Sequence, residues 1–158
     1  MWGPHAGKLI VASEGSGLIR AIDTSGNITV LNPTNLVPGG PEELSFIPLN
    51  LGASGNPVEG FYGSRYTPNV IKVPAADFAG LQGDAIVTAE FSGQVFQLHW
   101  NGIGLDITPI GSFGGQPEDG LFVTAAIIQG APEPGTLLLL GSGLLALGGF
   151  AWRRHRRS

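Results

Sequence analysis

Up to about residue 130, hydrophobic positions come in short alternating runs with a period of two, the signature of half-buried strands. Lys8–Ala12 and Ala85–Ala89 read as short apolar strands, each followed by a tight turn, S-E-G-S-G at 13–17 and A-E-F-S-G at 89–93. Gln94–Trp100 alternates, with Phe96, Leu98 and Trp100 on one face and Gln97 and His99 on the other. Turns at Asp23–Asn27 and Asn101-Gly102 lead into strands at Ile28–Leu31 and Ile107–Ile110. Gly60–Tyr66 and Val70–Val73 make two more strands, split by Thr67-Pro68-Asn69, and Asp77–Leu81 fits one helical turn. Leu121–Ile128 is predicted as the last strand, stopped by Pro132.

The pattern then changes. Pro132-Glu133-Pro134 is followed by an uncharged run over 136–152, TLLLLGSGLLALGGFAW, and by Arg153, Arg154, Arg156 and Arg157. As a helix the run is about 26 Å long, near the short limit for crossing a bilayer. Arginines behind a span stay on the cytoplasmic side, which puts everything before Pro132 outside. The domain expectation is a β-repeat region over 1–128, a linker over 129–135, a transmembrane helix over 136–152 and a basic tail over 153–158.

The chain also repeats itself. GKLIVASEGSGLIRAIDTSG (7–26) lies over GDAIVTAEFSGQVFQLHWNG (83–102) at an offset of 76, with seven of twenty positions identical. The same offset returns at Gly39/Gly115, Pro41/Pro117, Glu42/Glu118 and Phe46/Phe122. Repeated antiparallel strands joined by Gly-rich turns predict an all-β, partial propeller-like domain, 76 residues being two blades of about 38. A β-sandwich is the alternative fold.

Composition agrees with strands and turns. Gly and Pro supply 26 and 12 of the 158 residues, too many for a helical protein. The net charge of −4 divides into −8 before Gly135, from twelve acids and four bases, and +4 from the tail arginines. An acidic exterior argues against nucleic acid as a partner. There is no cysteine, so disulfides and thiol catalysis are excluded. Residues 1–20 lack a basic region followed by a long apolar one. A tail of this kind needs export, so the expectation is that further repeats and a signal peptide precede Met1.

Few residues are arranged for chemistry. Glu14 and Glu90 occupy matched turn positions, either capping the turns or pointing to a common axis where they could hold a divalent cation. Glu42 and Glu118 follow the matched prolines as loop acids. Asp84 and Asp119 add charge without a second ligand type beside them. His5, His99 and His155 have no zinc-ligand spacing. No G-x-S-x-G elbow or phosphate-binding loop occurs. Tyr62 and Tyr66, with Phe61 and Arg65, form either a half-buried strand edge or an aromatic patch for a polysaccharide. No cofactor and no catalytic residue is assigned.

The order Pro-Glu-Pro (132–134), apolar run, arginine cluster resembles the PEP-CTERM sorting signal of Gram-negative envelope proteins, with Ala131 where the commonest form has Val. The resemblance implies an exosortase partner that processes the tail, membrane insertion before processing, and a surface or extracellular destination; exopolysaccharide is a further expected partner, resting on the Tyr62–Tyr66 segment. PEELSFIP (41–48) and PEDGLFVT (117–124) resemble the blade-opening pattern of NHL and SMP-30-like propellers. The role read from all this is non-catalytic display or binding. The alternatives are a lactonase-like hydrolase of the SMP-30 type and a polysaccharide-binding module.

Overall fold

A computed structural model describes residues 2–66 and 69–130. Met1–Ala125 form one compact unit built almost entirely of antiparallel strands. The strands are β1 (Leu9–Ser13), β2 (Leu18–Ile22), β3 (Ile28–Val30), β4 (Pro41–Phe46), β5 (Gly60–Arg65), β6 (Asn69–Pro74), β7 (Ala85–Ala89), β8 (Gln94–Trp100), β9 (Leu105–Ser112) and β10 (Pro117–Val123). They form three sheets, ordered β1-β2-β3, β4-β7-β8-β9 and β10-β5-β6.

The second sheet is the middle layer. Ala85, Val87 and Ala89 of β7, with Phe96 and Leu98 of β8, pack against Ile10, Ile19 and Ala21 of the first sheet. Ile86 and Val95 face the other way, onto Phe61, Phe122, Ile71 and Val73 of the third sheet. Burial on both faces explains why every residue of β7 is buried, whereas β2 alternates. Full burial of one such side chain stabilises by roughly 1.5–3 kcal/mol.

The two copies fold alike locally. Gly17 N donates to Ser13 O and Gly93 N to Ala89 O, both at 2.8 Å. These glycines have φ of 66° and 64°, and a Cβ would come within 2.7 Å of Val37 O and 2.6 Å of Gly115 O. Positive φ and a close backbone neighbour both demand Gly here. The carbonyls of Gly17 and Gly93 then accept the amides of Val37 and Phe113, again a matched pair.

Three expectations are corrected. The 76-residue offset is not two whole blades: it spans six strands, β1 to β6, distributed over three sheets. The described strands close into neither a barrel nor a propeller ring, and there are three sheets rather than the two of a sandwich. The last strand ends at Val123, and Ala125–Gly130 form the short helix α1. Ala125, Ala126 and Ile127-Ile128 lack the alternation that a half-exposed strand requires. The helical turn near Asp77 is a 3₁₀ turn over Ala75–Phe78.

In the third sheet Gly63 of β5 lies opposite Gly120 of β10. A Cβ on Gly63 would sit 2.3 Å from the Phe113 ring, and one on Gly120 2.3 Å from the Phe61 ring. The paired glycines make a trough for the phenylalanine cluster, in which Phe61 and Phe122 lie 5.0 Å apart. Gly120→Ala is expected to destabilise by about 1–3 kcal/mol through overpacking, read as a lower midpoint in urea. An unchanged midpoint would show that the trough is not tightly filled.

Candidate functional site

β4 follows the first sheet in sequence but pairs with β7 of the second, and β10 follows the second sheet but pairs with β5 of the third. β1 lies beside β4, and β4 beside β10. This brings repeat-matched acids to one place. Oxygens of Glu14, Glu42 and Glu90 lie within 4.8 Å of one another. Gln116 Nε2 donates to Glu90 Oε1. Glu118 lies on β10, with Oε1 buried and without a hydrogen-bond partner.

Like charges this close disfavour full ionisation. A hydrogen bond with Glu90, then that group's charge, holds the Glu14 carboxyl above its ordinary value, with smaller contributions from burial and Glu42. Partial burial, then the charges of Glu90 and Glu118, raises Glu42. Among the described residues no backbone amide bonds to the Glu14 or Glu90 carboxylate, so neither caps its turn. The backbone bonds of Gly17 and Gly93 close the turns instead. Glu14 and Glu90 thus meet, and they meet in company with Glu42, an acid that reads from the sequence as a solvated loop residue. The repeat itself was the signal that could have found the group. Such carboxylates either share protons or hold a hard cation through their oxygens.

A second acid was missed altogether. Glu43 on β4 is half-buried, and burial pushes its carboxyl up to about 7 against a lowering hydrogen bond from Ser45, with Asp119 adding to the rise. Its Oε2 is buried without a partner. A raised folded-state value means that the folded protein holds the proton more tightly than the unfolded chain. The stabilising contribution is therefore complete below about 4.5 and is lost as pH rises through about 7. From the shift, Glu43 penalises the fold at pH 8 by at most about 3 kcal/mol relative to pH 4. Thermal unfolding should show the difference between Glu43→Gln and the unaltered protein growing from pH 5 to pH 8, with the variant the more stable at pH 8. A difference independent of pH would rule out the protonated carboxyl.

Several other polar residues have partners of their own. Asp84, which is buried, accepts Gln97 Nε2 at 2.6 Å and meets His99 Nδ1 at 2.9 Å. His99 thus pairs with a carboxylate. Tyr62 donates to Val58 O at 2.8 Å, and the Lys72 ammonium lies 5.8 Å from its ring centre. Tyr66 is 76% exposed, while Phe61 points into the core. Tyr62 belongs to β5, the central strand of its sheet and not an edge, and Tyr66 follows directly after that strand. An open apolar cavity of about 320 Å³ lies between the second and third sheets, lined by Phe61, Phe78, Ile86 and Phe113 among others. Asp77 is its one titratable lining residue, so it holds no acid–base pair.

Among the described residues Glu59 is the most deeply buried acid, at 1% exposure. Its Oε1 accepts the Ala125 amide at 2.7 Å and its Oε2 the Ser54 hydroxyl at 2.9 Å. It therefore fixes the start of α1, where the chain leaves the β body toward its C-terminal segment. Glu59→Ala should cost about 1–3 kcal/mol by orphaning the Ala125 amide and opening a void. Hydrogen exchange at Ala125 should accelerate in step, and unchanged exchange there would remove the anchoring role.

Pro132, Glu133, Pro134, the apolar run over 136–152 and Arg153, Arg154, Arg156 and Arg157 lie outside the described residues. Among the described residues no helix is long and apolar enough to cross a membrane. The tail is identified by comparison: residues 131–157 match the PEP-CTERM protein-sorting motif. The chain carries a PEP-CTERM sorting signal. No curated protein and no solved structure matches the chain. The motif implies an exported, exosortase-targeted protein of a Gram-negative bacterium, secreted or held in the cell envelope.

Proposed function

We propose that the chain is a non-catalytic surface protein whose β body is displayed on, or released from, the cell envelope after exosortase processing. The observation that carries this reading is the PEP-CTERM match at residues 131–157. Its apolar run is long enough for a single span before processing, with the β body outside and the arginines inside. The acidic body suits an exterior location and argues against nucleic acid as a partner.

The body belongs, on this reading, to a propeller-like repeat. The support is the exchange of strands between successive sheets, β4 into the second and β10 into the third. Adjacent β1, β4 and β10 are where the innermost strands of successive blades would lie. The lactonase-like alternative would draw on Glu14, Glu42 and Glu90 and requires a stoichiometric divalent ion. Calcium titration of the purified protein, followed by calorimetry, separates it from display. Exopolysaccharide binding through Tyr66 and Tyr62 would be lost in the Tyr62→Ala, Tyr66→Ala double variant.

Processing is tested in a host that has an exosortase. Mass spectrometry of the mature surface protein should find a C-terminus near Pro132–Gly135 and no peptide containing Arg153–Arg157. An intact arginine tail on the mature protein would leave a simple membrane anchor in place of a sorting signal.

A further inference from the structure

An open cleft of about 410 Å³ lies between the first and second sheets, where β8 turns into β9. Small-molecule sites span about 300–1,000 Å³. One wall is the segment over 29–35 at the end of β3, and the other is Trp100 with the turn that follows it. The walls meet at Gly104, where a Cβ would lie 3.8 Å from Leu31 O.

Both walls are held in place by side-chain amides. Asn32, 2% exposed, accepts the Ile19 amide at 2.7 Å and donates to Gly17 O at 3.0 Å and Asn35 O at 2.9 Å. Across the cleft Asn101 Oδ1 accepts the amides of Ile103 and Gly104, each at 3.0 Å, and its Nδ2 donates to Asp106 at 2.8 Å. This turn holds the Ile103 side chain out, 94% exposed. The Trp100 indole is fixed by the 3₁₀ turn Gly3–His5: the His5 ring packs edge-to-face at 4.6 Å, and a Cβ at Gly3 would lie 3.0 Å from Trp100 Nε1. A site shaped before its ligand arrives loses little to ordering when it binds.

The lining has no Asp, Glu, Lys or Arg, although the body around it is acidic. Burial, then the charge of Lys8, holds His5 below its ordinary value, so its ring is neutral at pH 7. A neutral imidazole both donates and accepts, as do the hydroxyls of Thr29 and Thr34 and the carboxamide of Asn35. Phosphates, carboxylates and cations find no countercharge here. A sugar ring has the complementary chemistry. Its C–H faces are apolar and suit the negative face of an indole, and each hydroxyl on its rim both donates and accepts.

We propose that this cleft binds a short stretch of a neutral glycan chain, its apolar ring face against Trp100 and Ile103 and its hydroxyls toward Thr29, Thr34, Asn35 and His5. The inference deepens the display reading and rests on it for an extracellular source of the glycan. It places the sugar contact apart from Tyr62 and Tyr66.

The test uses the full chain in a zwitterionic detergent, which has no sugar head group. Maltotetraose, cellotetraose and the tetramer of N-acetylglucosamine are titrated to millimolar concentration while amide chemical shifts are followed. At least one should shift residues 29–35 and 100–105 in a saturable way, and tetragalacturonate, which is anionic, should not. Trp100→Ala should weaken binding at least tenfold. Because Trp100 packs on the core, a second variant carries Ile103→Ala and Asn35→Ala, both at exposed positions. It should weaken binding at least threefold with an unchanged midpoint in urea. No saturable shift at 29–35 and 100–105 with any of the three neutral sugars would overturn the proposal. So would shifts confined to Tyr62 and Tyr66, equal binding of tetragalacturonate, or full affinity in the second variant. Each of these leaves the display reading standing, because that reading is judged on the C-terminus of the mature protein.

Discussion

The pairing of β4 with β7 is the interaction on which the rest of the body depends. β4 comes from the first copy of the repeat and β7 from the second. Their ladder joins segments some forty residues apart and completes the middle sheet, which gives both neighbours a surface to pack on. Loop closure over that distance costs entropy before any contact repays it. The return is burial on both faces of β7 and two apolar clusters, one on each side. The phenylalanine cluster then lies over the Gly63–Gly120 trough, and Glu59 closes the exit toward the tail.

The same pairing produces the electrostatic cost. Bringing β1, β4 and β10 side by side gathers Glu14, Glu42 and Glu90, with Glu118 close enough to act on Glu42. Glu43 is carried from the strand surface into a partly dry site. These acids are spread over more than a hundred residues of sequence, and their proximity is a product of strand exchange. The raised Glu43 carboxyl is expected to cost the body stability as pH rises through about 7.

Several features were legible in the chain. β7 and β8 were read at their observed bounds because their alternation and flanking turns are unambiguous. The repeat correctly marked the turns closed by Gly17 and Gly93, since both copies need positive φ at the same place. It was misread as two blades because sequence similarity counts residues and says nothing about which strands pair. The end of β10 was overrun because Ile127 and Ile128 look strand-like in isolation, while the chain there turns helical. Glu59 gave no signal, as a single acid in a loop reads as solvated until its partners from Ser54 and Ala125 are in place.

By itself the sequence determined the all-β class and the sorting tail. Both follow from local patterns: period-two alternation, glycine-rich turns, and the order of Pro-Glu-Pro, apolar run and arginines within 27 residues. Tertiary structure alone decided the sheet to which each strand belongs and the convergence of the acids. Those depend on backbone hydrogen bonds between distant segments, and every non-proline residue offers the same donor and acceptor. Side-chain sequence therefore marks where strands lie but only weakly which strands join.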